Sequence, residues 1–323
     1  MKENTIENRM KELACEHREL AKSINHQIWD KLVNIIDVYL SCCQSSAFEM
    51  FYELFIHNID NMRTNTIRKD SCLYRMRVGK DGYEEFSSNE MFHIPFQLNH
   101  LVENERFSIS GFPSLYLGSS VYVCWEEMRR PNLDYTNIAL FKTTEDVFVL
   151  DLSNKKYYNF TNEKFSDCLI IACTLPVLHP NAPFKPEYII SQLLLQSLVR
   201  YNKEGSHRKR IIGIKYSSTH IKDNKLWINY PENMKNSELF YNYVFPAFDR
   251  VESGISEQLT SLFQFWYCIT YNKMKLMYPD FQSDEKNIYI NTVFGKIEEK
   301  LKNIPSPDML NYDSSNPKGA LTL

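Results

Sequence analysis

The chain has 323 residues, 43% of them hydrophobic and 14% aromatic, enough apolar material for one large core or a core with a smaller attachment. Lys and Arg total 37 against 40 Asp and Glu, a net charge of −3, which gives no reason to expect nucleic-acid coating or membrane adsorption. The charged start, Met-Lys-Glu-Asn-Thr-Ile-Glu, lacks the apolar core of a signal peptide. The longest apolar stretch, 168–178, is interrupted at Pro176, and a bilayer-crossing helix needs roughly 20 apolar residues. Eight cysteines with no Cys-x-x-Cys pair, in a chain too long to need disulfide staples, predict reduced thiols in a cytoplasmic protein. Cys15, His17 and the Cys42-Cys43 pair match no common zinc spacing, and no metal is expected.

Residues 1–66 read as a helical region. Ile28, Leu32, Ile35, Ile36, Tyr39 and Leu40 recur at helical spacing, as do Phe48, Phe51, Tyr52, Phe55 and Ile59, and no Gly or Pro occurs before Gly79. This region is expected to pack on a main domain and to act on solubility, assembly or partner choice rather than on chemistry. The main domain is expected over 67–275, where Gly, Pro and aromatics appear and apolar runs shorten. Strands are predicted at 91–96, 114–117, 137–141, 147–152, 169–173, 211–216, 226–230 and 262–269. A helix is predicted over 187–202, entered at Pro186 and followed by Gly205. Within 276–304 a second is predicted over 288–303, stopped by Pro305 and Pro307. The Ser-, Asn-, Asp- and Pro-rich tail, 305–323, is expected to be mobile. Strands and helices mix without strict alternation, which predicts α+β. With no Gly-x-Gly-x-x-Gly or Gly-x-x-x-x-Gly-Lys run, any nucleotide site is neither a Rossmann nor a P-loop one.

The segment 106–127 is the most informative. It holds Arg106, a Gly-Phe-Pro turn, a short strand ending in Tyr116-Leu117-Gly118, Ser119 and Ser120, then a helix-like piece ending in Glu126-Glu127. Arginine can fork onto a pyrophosphate, serines entering a helix can offer hydroxyls and N–H groups to an anion, and a carboxylate can stabilise positive charge on an anomeric carbon. The bland alternative is a surface arginine, a turn and two solvated glutamates. Elsewhere, the basic run 206–210 reads as a solvated connector. His93, on a predicted strand, reads equally as structural or as a pocket residue, and Phe263, Phe265, Trp266 and Tyr267 read as core.

Five short blocks in order resemble the RES domain family. They are Tyr74-Arg75; Arg106-Phe107 with Gly111; Leu115-Tyr116-Leu117; Cys124-Trp125-Glu126-Glu127; and Gly213-Ile214-Lys215-Tyr216-Ser217-Ser218. Counted from Tyr116, Glu127 matches the family glutamate better than Glu126, and Ser218 falls on the family serine. Glu105 replaces the usual Gly before Arg106, Ser217 replaces a Pro, and the N-terminal helical region is an addition to the short toxin form. The resemblance covers roughly residues 70–270. It implies an ADP-ribosyltransferase-like fold, a split, bent sheet with an NAD cleft. It also implies a toxin that consumes NAD by hydrolysis or phosphorolysis at the nicotinamide–ribose bond, paired with an Xre-type antitoxin. By the same resemblance, Arg75 and Arg106 hold the phosphates beside Tyr74, Tyr116 meets the nicotinamide ribose, Glu127 steadies the oxocarbenium-like transition state, and Ser218 holds the nicotinamide side; Ser119 and Ser120, as the serines entering the helix, are counted with the NAD-binding residues. Two alternatives stay open: transfer of ADP-ribose to a protein or nucleic acid, and a non-catalytic nucleotide-sensing module.

Overall fold

The computed structural model describes residues 5–16, 25–153, 164–205, 210–219, 221, 240–249, 252–278 and 289–305. Three helices come first: α1 (Ile6–Glu16), α2 (His26–Leu40) and α3 (Gln44–Asn58). Asn25 caps α2, its side chain accepting from the Gln27 and Ile28 amides, which ties up N–H groups with no intrahelical partner. The helical region ends earlier than predicted, because Thr64–Ile67 is already a strand, β1. The other strands are β2 (Cys72–Val78), β3 (Ser114–Gly118), β4 (Thr136–Thr143), β5 (Val147–Leu152), β6 (Gly213–Ser217), β7 (Tyr241–Pro246) and β8 (Phe263–Thr270). They form one sheet in the order β1-β5-β6-β7-β3-β2-β4-β8, so the architecture is α+β as expected. Only β5 and β6 run parallel, linked by a crossover that contains α6 (Lys164–Thr174) and α7 (Ile189–Glu204).

Two predicted strands are corrected. The 169–173 run lies in α6, whose residues Phe165 to Cys173 are all buried. A helix covered on every side loses its polar stripe and reads like a buried strand. The 91–96 segment is instead the short helix α4 (Ser88–Met91) followed by a 3-10 turn, Phe96–Leu101. Ser87 and Glu90 form a reciprocal capping box there, a helix-start signal the apolar alternation obscured. The central strand β7 went unpredicted, although all six of its residues are buried. The remaining helices are α5 (Val121–Glu127), α8 (Glu257–Leu262), α9 (Tyr271–Met277) and α10 (Val293–Lys302). Helix α7 ends at Gly205, with φ 69°, the left-handed closure glycine tolerates. The predicted strand 226–230, most of the basic run 206–210 and nearly all of the tail 305–323 lie outside the described residues.

Side-chain alternation divides the sheet into two faces. One face carries Leu73, Leu115, Leu117, Ala139, Phe141, Tyr243 and Phe245 in a single apolar cluster. The other is covered twice. Over Leu150, Leu152, Ile214 and Val244 lie α1, α2, α3, α6 and α7 in one continuous core. Over Tyr74, Met76, Ile138, Leu140 and Ile269 lie α5 and α10. Strands β2 and β3 share one registered pair, Tyr74 with Gly118, so the sheet is only lightly joined between these two layers. Among the described residues no helix is long and apolar enough to cross a membrane.

Candidate active site

The site is built where β3 turns into α5. A Cβ on Gly118 would come within 2.6 Å of Cys124 Sγ and 2.7 Å of Val123 Cγ1, so glycine is what lets the helix lie down on the strand end. Ser119 pins this turn to β7: its N–H donates to Tyr241 O at 2.8 Å and its Oγ accepts from Tyr241 N–H at 3.0 Å. Ser120 caps α5, its Oγ accepting from Val123 N–H at 3.0 Å. Glu298, reaching over from α10, accepts from Val121 N–H at 2.8 Å.

Helix α5 sends its two glutamates to different places. Glu126 is buried and pairs with Arg130 at 2.9 Å. Glu127 is half-buried and meets the ends of β6 and β7. Its Oε1 accepts from Ser218 Oγ and from Asn242 Nδ2, the latter at 2.9 Å. The three groups are 91 and 115 residues apart in sequence, so the sheet alone brings them together. Tyr216 and Asn242 are registered partners across β6 and β7, which puts the Tyr216 side chain on the same face as this carboxylate. The Tyr216 ring packs on Phe107 with centroids 4.5 Å apart. Burial, and then the Glu127 charge, hold its hydroxyl well above the ordinary tyrosine range.

Arg106 and Tyr116 complete the group. The Arg106 fork donates to Cys173 O at 2.9 Å, in the last turn of α6, and to Leu175 O at 3.0 Å, just past it, and its guanidinium lies 4.9 Å from the Tyr188 ring centroid. Burial lowers its pKa, and Glu127 is among the groups acting the other way. Tyr116 donates its hydroxyl to Phe107 O at 2.8 Å. Burial, then the Glu105 charge, raise its pKa.

Arg75 contrasts with Arg106. It is the residue of β2 that follows the single Tyr74–Gly118 pair. Its Nη1 is enclosed and has no hydrogen-bond partner among the described residues. The groups that act on it most are Arg77, Cys124 and Tyr116, none a carboxylate. Burial lowers its pKa to about 10, so it stays cationic at neutral pH. A guanidinium kept out of water with an unpaired donor carries unsatisfied hydrogen-bonding capacity.

Of the residues selected by sequence, Arg106, Tyr116, Glu127 and Ser218 therefore form one group, while Arg75, registered with Ala139, belongs by alternation to the Leu73 and Phe141 face and is linked to the group only electrostatically, at Tyr116. Ser119 and Ser120 hold the turn that launches α5. Tyr74, 1% exposed, lies in the packing under α5 and α10. Sequence reasoning missed Asn242 and Tyr216 as site features. The signal for Asn242 was a polar residue inside the apolar run Tyr241-Asn242-Tyr243-Val244-Phe245, readable once that run is recognised as a strand. His93 is not on a strand; its Nδ1 meets Ile94 O at 2.7 Å and its Nε2 accepts from Ser256 N–H at 2.8 Å, a structural role. Cys15, Cys42 and Cys43 are exposed free thiols. Among the described residues no three metal-ligating side chains converge. A cavity of about 380 Å³ between α3 and α7, lined by Phe48, Phe112 and Arg200 among others, shares no residue with the Glu127 group.

One comparison with known proteins found a relative. A Bacillus subtilis (strain 168) protein named "Putative toxin YopC" is 36% identical over 231 residues, which cover 66% of this chain and 48% of that protein. The chain thus spans about half the length of the relative it matches. No family model matches the chain, and no solved structure matches it.

Proposed function

We propose that this chain is an NAD-consuming enzyme of the RES-domain type, which cleaves the nicotinamide–ribose bond by hydrolysis or phosphorolysis and acts as a toxin. The observation that carries this reading is the hydrogen bond between Ser218 and Glu127, two residues 91 apart that the family resemblance selects independently. The toxin role is supported by the name of the Bacillus subtilis relative. The lightly joined strands β2 and β3 agree with the split, ADP-ribosyltransferase-like sheet that the resemblance implies.

In this reading Glu127 places negative charge beside the ribose as the bond to nicotinamide breaks. Positive charge then spreads over the ring oxygen and anomeric carbon, and the pyridinium nitrogen becomes neutral as it leaves, so no strong general acid is needed. Ser218 and Asn242 fix the carboxylate in advance, which is how electrostatic stabilisation avoids reorganisation cost. Of the two arginines, Arg75 has the unpaired donor for phosphate, since both ends of the Arg106 fork already serve backbone carbonyls. The Tyr116 hydroxyl is likewise engaged, so Tyr116 offers its ring as a wall. The resemblance further implies an Xre-type protein partner that covers the site in a cytoplasmic setting.

The test is to incubate the purified chain with NAD alone, with and without inorganic phosphate, and to follow nicotinamide release. Release without any macromolecular target is expected. Release only when a protein or nucleic acid is added would mark a transferase instead, and NAD binding without release would mark a sensing module.

A further inference from the structure

Helix α1 lies far from the Glu127 group in sequence, yet it grips the same backbone stretch as Arg106. On one side of residues 173–178, Arg106 donates to Cys173 O and Leu175 O. On the other, Arg9 of α1 donates to Pro176 O with Nη2 and to Glu187 Oε1 with Nη1, the latter at 2.6 Å. Glu187 closes the loop by accepting from Leu178 N–H at 3.1 Å. The next residue, Tyr188, supplies the ring under the Arg106 guanidinium. The Arg9–Glu187 pair is not a loose surface contact, because the two side chains are 10% and 3% exposed. Met10 and Ala14 anchor α1 in the core beside it.

We infer that Arg9 is a positioning residue for the proposed site, and that α1 sets the location of the Arg106 guanidinium by holding the backbone carbonyls and the Tyr188 ring it rests on. Among the described residues the Arg106 fork bonds to the Cys173 and Leu175 carbonyls, so its position follows theirs. A shift of about 1 Å in a group that frames a substrate is enough to cost activity severely. The N-terminal helices therefore reach the chemistry, which goes beyond the role in solubility, assembly or partner choice expected from their sequence. The inference rests on the reading of the site as an NAD site only in its kinetic consequence. The mechanical link from Arg9 to Arg106 is independent of that reading.

Two measurements separate these. Arg9→Ala alone would strand the buried Glu187 carboxylate and can unfold the region, so the variant of choice is Arg9→Met with Glu187→Gln, which removes both charges and keeps volume. Glu49→Gln, which breaks the exposed Arg200–Glu49 pair farther along α7, controls for general destabilisation. In the full-length protein, the side-chain NMR signals of Arg106, assigned with Arg106→Lys and shifted by the Tyr188 ring, are expected to move in the double variant and not in Glu49→Gln. With NAD as substrate, KM is expected to rise about tenfold or more while kcat stays within about threefold, and Arg9→Lys, which keeps the ion pair but loses the fork, is expected to fall between. A moved Arg106 signal in a protein that never consumes NAD supports the link and removes the NAD reading. A folded double variant with unmoved Arg106 signals overturns the inference, as does one with moved signals and unchanged KM in an active enzyme.

Discussion

Over β5 and β6, one face of the sheet is covered by α1, α2, α3, α6 and α7, with an interior of Leu, Ile and Phe running from Trp29 and Phe51 to Leu193 and Leu198. Its buried ion pairs, Arg63–Asp167 and Arg9–Glu187, put carboxylates in this interior, each facing an arginine. Over β2, β4 and β8 the same face is covered by α5 and α10, and there the interior includes a carboxylate. Glu298, 5% exposed, accepts from Val121 N–H and from the Tyr289 hydroxyl, beside Tyr74, whose own hydroxyl is enclosed and unpaired among the described residues. The first layer sets its buried carboxylates against arginines within a mainly apolar interior. The second includes a proton-sensitive polar contact at the start of the helix whose other end carries Glu127. The Glu127 group sits at the seam between the two layers, where polar side chains converge.

Removing the first layer tests the comparison most harshly. A chain starting near residue 65 loses Trp29, Leu32, Ile35, Ile36, Phe51 and Phe55, all fully or almost fully buried. At about 1.5–3 kcal/mol each, six such side chains match or exceed a whole domain's stability of about 5–15 kcal/mol. The fragment is expected to show no cooperative melt by calorimetry. A sharp transition would mean that the helices are an appendage and that the two layers are not equivalent parts of one core.

At the seam the expected effect is on rate. Glu127→Gln keeps shape and hydrogen bonding and removes the charge, so turnover of NAD should fall by about 10²–10³, or about 3–4 kcal/mol, with little change in affinity. Glu126→Gln is the internal control: its carboxylate faces Arg130 rather than Ser218, and turnover should change only mildly. Steady-state kinetics of the two variants decides which of the two adjacent glutamates works.

The smallest effect distinguishes the layers by pH. Burial raises the Glu298 carboxyl from 4.5 to about 7. A raised folded-state pKa means that the group's stabilising contribution is complete below about pH 4.5 and is lost as pH rises through about 7, on the order of 1–3 kcal/mol in all. His93 works in the opposite sense, because burial lowers its pKa from 6.5, so its contribution is present above that value and is lost as pH falls. Urea midpoints at pH 5, 6, 7 and 8 should show Glu298→Gln gaining on the unsubstituted protein as pH rises. Parallel curves would remove Glu298 from the pH response.

Much of this architecture is legible from local pattern. Helical spacing marked α2 and α3, Pro186 and Gly205 bracketed α7 closely, and the Gly-Phe-Pro, Tyr-Leu-Gly and Glu-Glu order of 106–127 placed β3 and α5. These are signals in which each residue reports on its immediate neighbours, through propensity, capping and periodicity. What the sequence determined by itself was therefore the α+β class, most elements outside the fully buried ones, and a short list of residues able to carry charge and hydrogen bonds. It did not determine α6 or β7, because an element buried on every side has no polar stripe to give its period. Nor did it decide which listed residues work together. Only the sheet order, which lays β6 and β7 beside β3, sets Ser218 and Asn242 against Glu127 rather than Glu126. Only the packing of α6 engages the fork of Arg106 while leaving Nη1 of Arg75 without a partner. Those assignments depend on contacts between residues 67 to 115 positions apart, and they are made by burial and strand register, which no local stretch of sequence contains.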